Sequence, residues 1–356
     1  MSKDFSEIYN KIRANIRIDE SEGLKLLRDA PWLELAQLAW EKRVQHVGDD
    51  SASYTLFRII NYTNVCQIKC KFCSFQRDET DKNAYVLDKK AVLDKVAEAK
   101  EKGVEQIFLQ GGVHPNLPLS YYTSLLKAIK CTHGVHIRAF SPVEILYLSK
   151  LNQVEVPELI LKLKDAGLDS VPGAGAEILA ERVRVILSPE KCTTEQWSMV
   201  MKECHKHGLM GSANIVFGSI EKDEEIISHL DIIRKIQDET NGFNSFIPWT
   251  FQKQTKGFYV KNIPPHDYLK MVSLCRIYLD NIKNIEVSVL VLGKDIGKMA
   301  LRMGANDISS PVLEENVLKS FGVKSEVESQ TLIKEAGFNP VKRNFNYTKF
   351  TSLKTA

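Results

Sequence analysis

The sequence predicts an α/β fold: a (β/α)8 TIM-type barrel, complete or nearly so, with an N-terminal helical cap and a short C-terminal extension. Three observations predict it. From about residue 58 onward, β-rich runs alternate with helical runs, and that alternation implies parallel strands. About eight such units fit into roughly 250 residues, which is the arithmetic of one barrel. No glycine-rich dinucleotide fingerprint follows the first strand, which weighs against the competing reading, a doubly wound open sheet. The expected organisation is a cap over 1–55, a barrel over 56–322 and an extension over 323–356.

The elements follow in order. Asp19 with Glu22 forms a capping box that opens SEGLKLLRDA, and Pro31 starts the helix WLELAQLAWEKRVQHV. RIINYTNV (58–65) is the first short β-rich run, and KKAVLDKVAEAKEKG (89–103) is a helix that ends at Gly103. EQIFLQGG (105–112) and GVHIRAF (134–140) read as strands separated by the helix LSYYTSLLKAIK (119–130). VPELILKLKDAG (156–167) is a helix stopped by glycine, and LDSVPG is a strand end. The pattern continues with helix 194–208, strand 209–218, helix 223–239, strand 244–251, helix 266–282, strand 285–293 and helix 295–304. The short strand NDISS then leads to EENVLKSFG.

Composition narrows the class. The chain has 356 residues, with Lys and Arg totalling 48 against 45 for Asp and Glu, so its net charge is +3. Such a balance implies no basic face, and nucleic acid is not expected as a partner. No apolar run approaches the ~20 residues that span a bilayer, so no membrane is expected. The N-terminus MSKDFSEIYNKIR lacks the apolar core of a signal peptide, and a cytoplasmic setting is the expectation.

Seven cysteines are distributed unevenly: Cys66, Cys70 and Cys73 crowd together, while Cys131, Cys192, Cys204 and Cys275 are scattered over helices or their edges. An odd number in a cytoplasmic chain argues against a disulfide framework. The scattered four are expected to be inert packing residues. The segment NYTNVCQIKCKFCSF spaces the other three as C-x3-C-x2-C directly after the first strand, where a barrel carries its reactive groups. A structural zinc site takes four protein ligands, and an iron–sulfur cluster normally takes four cysteines. Three cysteines therefore suggest a [4Fe–4S] cluster with one iron left open. Zinc, or three thiols without metal, remain the alternatives on spacing alone.

With Phe72 before Cys73, the motif resembles the signature of the radical S-adenosylmethionine superfamily. The blocks LQGGVHP, AFSPVEI, GLDSVPGAGAEIL, RVRVILSP, QDETNGF and IPWTFQ resemble, in order, one subgroup: the menaquinone and deazaflavin-cofactor radical enzymes. NYTNVC together with IPWTFQ is most similar to the cyclic dehypoxanthinyl futalosine synthase family. The resemblance implies a [4Fe–4S] cluster on Cys66, Cys70 and Cys73 and S-adenosyl-L-methionine bound at the open iron. It implies a 5′-deoxyadenosyl radical that takes a ribose hydrogen from dehypoxanthine futalosine, followed by ring closure onto the benzoate, in menaquinone biosynthesis. An external electron donor such as flavodoxin or ferredoxin would be needed. The alternatives are an aminofutalosine synthase, in which the radical adds to substrate, and a non-catalytic iron–sulfur or zinc module.

Candidate site residues fall at strand ends. Gln110, Gly111 and Gly112 close the second strand, where glycines let a backbone approach a ligand, and the resemblance places the cofactor's methionyl amine nearby. Ser141 and Glu144 follow the third strand; Glu144 suits a ribose diol, or is a carboxylate favoured at a helix N-terminus. Glu177 follows the glycine-rich turn VPGAGA, and Arg182 and Arg184 are candidates to pair with a carboxylate. Asn214, Trp249, Thr250 and Gln252 are substrate candidates; Trp249 could stack on an aromatic ring or pack in the core, and core packing is favoured for Phe251. His114 and Glu221 are the candidates for acid–base work. The chain departs from the family pattern at Ala174, at Ser219 and in the loop 253–262, which is expected to differ in substrate closure.

Overall fold

Punctuation residues build the cap. A computed structural model describes residues 4–252, 254–255, 258–260, 262–289, 293–313 and 325–352. Helices α1 (Ser6–Arg13), α2 (Glu20–Asp29) and α3 (Trp32–Val47) precede the first strand. Asp19 accepts from the Glu22 N–H at 2.8 Å and Glu22 accepts from the Asp19 N–H at 3.0 Å, the reciprocal capping read from the sequence. Pro31 stands at the N-cap of α3.

The next elements are β1 (Ser51–Asn61), α4 (Lys89–Glu101), β2 (Gln106–Gln110), α5 (Leu119–His133), β3 (His136–Ala139), α6 (Pro142–Asn152), α7 (Val156–Asp165), α8 (Glu181–Leu187), α9 (Thr194–Lys206), β4 (Gly211–Phe217), α10 (Asp223–Thr240) and β5 (Phe243–Thr250). They alternate as expected except after β3, where four helices follow in succession and α6 and α8 are not among the expected ones. After a two-residue hairpin, β6 (Gln254–Thr255) and β7 (Phe258–Tyr259), come α11 (Pro265–Tyr278), β8 (Asn284–Ser288), α12 (Lys294–Arg302), β9 (Asp307–Leu313), α13 (Glu326–Glu335), β10 (Asn339–Arg343) and β11 (Phe350–Ser352).

Parallel pairing runs β4–β5–β8–β9–β1–β2–β3. The gap between β3 and β4 is bridged by the segment after α7. Ala139 N–H donates to the Ser170 carbonyl at 3.1 Å, and Gly173 N–H donates to the Ser212 carbonyl at 2.7 Å. The LDSVPG strand end is thus the eighth stave, reduced to a few backbone bonds.

The strands are sealed outside and open inside. Ile107, Leu109, Ile137, Ala139, Ala213 and Ile215 are at most 2% exposed, whereas the alternating Phe108, Gln110, Arg138, Asn214, Val216 and Trp249 are only half-buried. Period-two alternation puts the first set against the helices and the second in the lumen. The barrel is therefore hollow towards its axis.

A polar floor closes the N-terminal mouth. Strand β10 lies parallel to the start of β1, pairing Ser51–Tyr54 with Asn339–Lys342. The turn that follows brings Phe345 against His136, with ring centroids 4.9 Å apart, and Tyr347 Oη against Glu286 at 3.0 Å. Arg343 grips Asp307 with two donors at 2.5 and 2.7 Å, and Ser53 also donates to Asp307. A void of about 10 Å3 remains among Thr55, Phe57, Phe108, Arg138, Glu286 and Phe345, room for about one water.

Several elements differ from their expected form. Strand β1 runs over Ser51–Asn61 and not over 58–65; its start is hidden in the sequence because residues 52–56 are buried on both faces and show no alternation. Helix α6 escapes a periodicity reading because Pro142, Val143, Glu144, Ile145, Leu146 and Leu148 are all buried, which leaves no polar stripe. Of the scattered cysteines, Cys192, Cys204 and Cys275 are buried but Cys131 is exposed, so packing does not account for it. The stretch EENVLKSFG and part of the 253–262 loop lie outside the described residues.

Candidate functional site

The cysteine loop is held by its own sequence. Thr63 Oγ1 donates to the Tyr85 carbonyl at 2.6 Å, and the Asn64 side chain bonds the Asn83 carbonyl and the Tyr85 N–H at 2.8 and 2.9 Å. The returning chain 83–86 is thereby strapped under the NYTNV segment. Cys66 N–H donates to Arg77, Lys71 N–H to Leu187, and Lys69 N–H to the Glu190 carboxylate, so the loop is also docked on the end of α8.

Glycines 111 and 112 make that docking possible. A Cβ on Gly112 would stand 2.2 Å from the Val65 carbonyl oxygen, and one on Gly111 would stand 2.4 Å from the Tyr62 ring. Gly112 N–H donates to the Thr63 carbonyl at 2.9 Å. The close approach is to the cysteine loop itself. Tyr62 carries the contact onward: its hydroxyl donates to Glu144 Oε1 at 2.7 Å, and Ser141 Oγ donates to Glu144 Oε2 at 2.7 Å. Burial pushes the Glu144 carboxyl up to about 7, against the pull of Tyr62, Ser141 and the Gly111 N–H. Glu144 is therefore a buried knot joining the ends of β1, β2 and β3.

All three cluster-loop thiols are free; Cys70 is buried while Cys66 and Cys73 are partly buried. Burial pushes Cys66 up to about 11 and raises Cys70, and nearby thiols of the loop add to both shifts. Among the described residues, no three His, Cys, Asp or Glu side chains form a metal-holding group. The donor set nevertheless fits an iron–sulfur cluster: three soft thiols on one pinned loop, with no fourth protein ligand beside them. The raised values of Cys66 and Cys70 mean that a bound cluster would displace their protons.

A residue that sequence reasoning missed completes this region. Lys191 Nζ lies 2.9 Å from Glu177 Oε1 and 5.2 Å over the Phe72 ring, and its charge lowers the Cys70 thiol against burial. Burial opposes the Lys191 charge, but Glu177 and Cys70 outweigh it and hold the ammonium above its ordinary value. Phe72 also meets Phe251 edge-on at 5.1 Å. In sequence, Lys191 is one charge in the loop SPEKC; only the fold brings it to the cysteines. Arg138 was missed as well, although a charge inside the apolar run HIRAF was a signal.

The other expected residues are spread more widely. Arg184 spends its donors on the Cys192, Gly175 and Ala176 carbonyls, clamping the glycine-rich turn. Arg182 pairs with Glu225 at 2.6 Å. Glu221 accepts from the Gly218 N–H and from Ser219 Oγ at 2.6 Å, which caps its own turn and accounts for Ser219. His114 is buried; its Nδ1 accepts from Asn116 N–H at 3.0 Å, and burial lowers its basicity. Asn214 and Trp249 face the lumen, while Thr250 is buried and accepts from Gln252. Among the described residues, no helix is long and apolar enough to cross a membrane.

Comparisons with known proteins agree with this layout. Residues 60–233 match the radical SAM superfamily, and 240–355 match the CofH/MqnC C-terminal region. A cyclic dehypoxanthine futalosine synthase of Halalkalibacterium halodurans is 41% identical, covering 93% of this chain and 91% of that protein. One from Streptomyces coelicolor is 37% identical over 97% and 88%. A 5-amino-6-(D-ribitylamino)uracil–L-tyrosine 4-hydroxyphenyl transferase of Methanocaldococcus jannaschii is 36% identical over 95% and 98%. Among solved structures, methylornithine synthase (PylB) superposes with a TM-score of 0.70 at 17% identity, covering 94% of this chain and 97% of that one. The hydrogenase maturase HydG reaches 0.75 at 17% identity, over 96% and 76%. These two likenesses carry the fold. The chain is an enzyme that uses a [4Fe–4S] cluster and S-adenosylmethionine on a small-molecule substrate, and it belongs to the radical SAM superfamily, in the group defined by the CofH/MqnC C-terminal region.

Proposed function

We propose that the chain cyclises dehypoxanthine futalosine in menaquinone biosynthesis, as a cyclic dehypoxanthine futalosine synthase. The observation that carries this reading is 41% identity, sustained over 93% of the chain, to a protein of that name. The half-buried inward residues Phe108, Asn214 and Trp249 give the lumen aromatic and polar surface, which suits a substrate that joins a ribose to an aryl ring.

In this reading Cys66, Cys70 and Cys73 hold the cluster, which with S-adenosylmethionine supplies a 5′-deoxyadenosyl radical. Phe72 and Phe251 shield it from water, and the paired Glu177 and Lys191 offer opposite charges to the zwitterionic end of the cofactor. Gly111 and Gly112 seat the loop against β2, while Tyr62 and Glu144 fix its height above the lumen. Asn214 and Trp249 border the substrate, and Thr250 with Gln252 fixes the strand end behind Trp249. An external one-electron donor of the flavodoxin or ferredoxin class supplies the reducing equivalent.

The second reading is the 4-hydroxyphenyl transferase, favoured by 36% identity over 95% of the chain. One experiment separates them. The reconstituted enzyme is incubated anaerobically with S-adenosylmethionine and reductant, either with dehypoxanthine futalosine or with L-tyrosine plus 5-amino-6-(D-ribitylamino)uracil. A cyclised product with free 5′-deoxyadenosine is expected from the first mixture. Product from the second mixture only would overturn the proposal, as would an adenosylated product.

A further inference from the structure

The lumen contains one guanidinium with unused binding capacity. Arg138 stands on β3 at an inward position, half-buried, where its neighbours Ile137 and Ala139 are sealed outward. Among the described residues it makes one hydrogen bond, Nη2 to Ser212 Oγ at 2.5 Å, and its Nε is buried without a partner. A guanidinium carries five N–H donors, and a buried one left unmet is costly.

Glu286 borders the same small void as Arg138 and its charge favours the Arg138 cation, but its bonds go to other groups. Glu286 accepts from Ser245 and from Tyr347, with Arg343 at 3.5 Å, and no carboxylate forms an ion pair with Arg138 among the described residues. Two aromatic rings, Phe108 and Phe345, each lie 4.9 Å from the guanidinium carbon and hold its position. Below Arg138 the floor leaves only about one water's room, so a ligand reaches it from the open lumen. A planar cation held between two rings, at an inward position of β3 and with donors left over after its bond to Ser212, has the chemistry of a receptor for an aromatic acid.

We infer that Arg138 binds the carboxylate of an aryl carboxylate substrate, and so sets the depth at which that substrate sits beneath the cysteine loop. The identity of the full substrate rests on the proposed function; the affinity for an aryl carboxylate does not. Two measurements keep them apart. Benzoate alone is titrated into wild type, Arg138→Gln and Arg138→Lys and followed by NMR, and KM for dehypoxanthine futalosine is measured on the same proteins. Loss of a charge-assisted, two-donor contact corresponds to a roughly ten- to hundred-fold weakening.

The expected result is that Arg138→Gln weakens benzoate binding and raises KM by that factor, with Arg138→Lys in between. Benzamide should bind wild type no better than benzoate binds Arg138→Gln. Equal benzoate affinity in wild type and Arg138→Gln would overturn the inference. If Arg138→Gln does not fold, the wild-type preference for benzoate over benzamide and the Arg138→Lys titration decide it; no preference and no change overturn it. If wild type ignores dehypoxanthine futalosine but binds benzoate through Arg138, the proposed function fails and the assignment of Arg138 stands.

Discussion

Replacing Glu144 by Gln gives a pH signature that can be worked out in advance. The carboxyl is buried, and its value is pushed from an ordinary 4.5 to about 7 by burial, which outweighs the bonds from Tyr62, Ser141 and Gly111. For an acid raised on folding, the native state holds more protons than the unfolded state between those two values. Stability contributed by the protonated group is therefore full below about 4.5 and is lost as pH rises through about 7. At ~1.4 kcal/mol per tenfold change, the whole window amounts to about 3 kcal/mol. Glutamine cannot ionise, so the difference in unfolding free energy between Glu144→Gln and wild type should drift by about 2–3 kcal/mol in favour of the variant from pH 5 to pH 8. Urea unfolding of the cluster-free protein at several pH values measures it, and every other titrating group cancels in the difference. Parallel profiles, within about 0.5 kcal/mol across the range, would refute the view of Glu144 as a buried knot and return it to solvent or ligand.

Three further outcomes follow from the same geometry. Gly112→Ala puts a methyl group 2.2 Å from the Val65 oxygen, so the cysteine loop must lift; iron bound per chain after reconstitution should fall sharply, whereas normal iron content would show that the contact is not needed. Lys191→Met strands Glu177 without its partner and should cost about 3–5 kcal/mol in urea unfolding, largely recovered by the double variant Glu177→Gln/Lys191→Met; a loss below about 0.5 kcal/mol would mean the pair is solvated. Cys70→Ala should abolish cluster absorbance and cofactor cleavage together, and a variant that still binds a full cluster would exclude Cys70 as a ligand.

Much of the fold could be read along the chain because the signals are local. The capping box at Asp19 and Glu22, the proline at the head of α3 and the glycines ending helices act on their immediate neighbours. Helix α6 and the full length of β1 could not be read, because elements buried all round lose the polar stripe that reveals periodicity. The reduced strand at 168–173 shows the same limit: its pairing partners lie about 30 and 40 residues away, and only they make it a stave.

The site divides in the same way. By itself the sequence determined the cysteine spacing, the fold class and the chemistry that three thiols with an open position allow, since ligand type and spacing are properties of a short segment. Only the tertiary structure decided that Glu144 and Tyr62 bind each other, that Arg184 clamps a turn, that Lys191 reaches Glu177 and Phe72, and that Arg138 faces the lumen with no carboxylate paired to it among the described residues. A charge in a sequence carries no record of its partner. Whether it is solvated, satisfied by backbone or held ready for a ligand depends on burial and on groups tens of residues away, and those are set when the sheet closes.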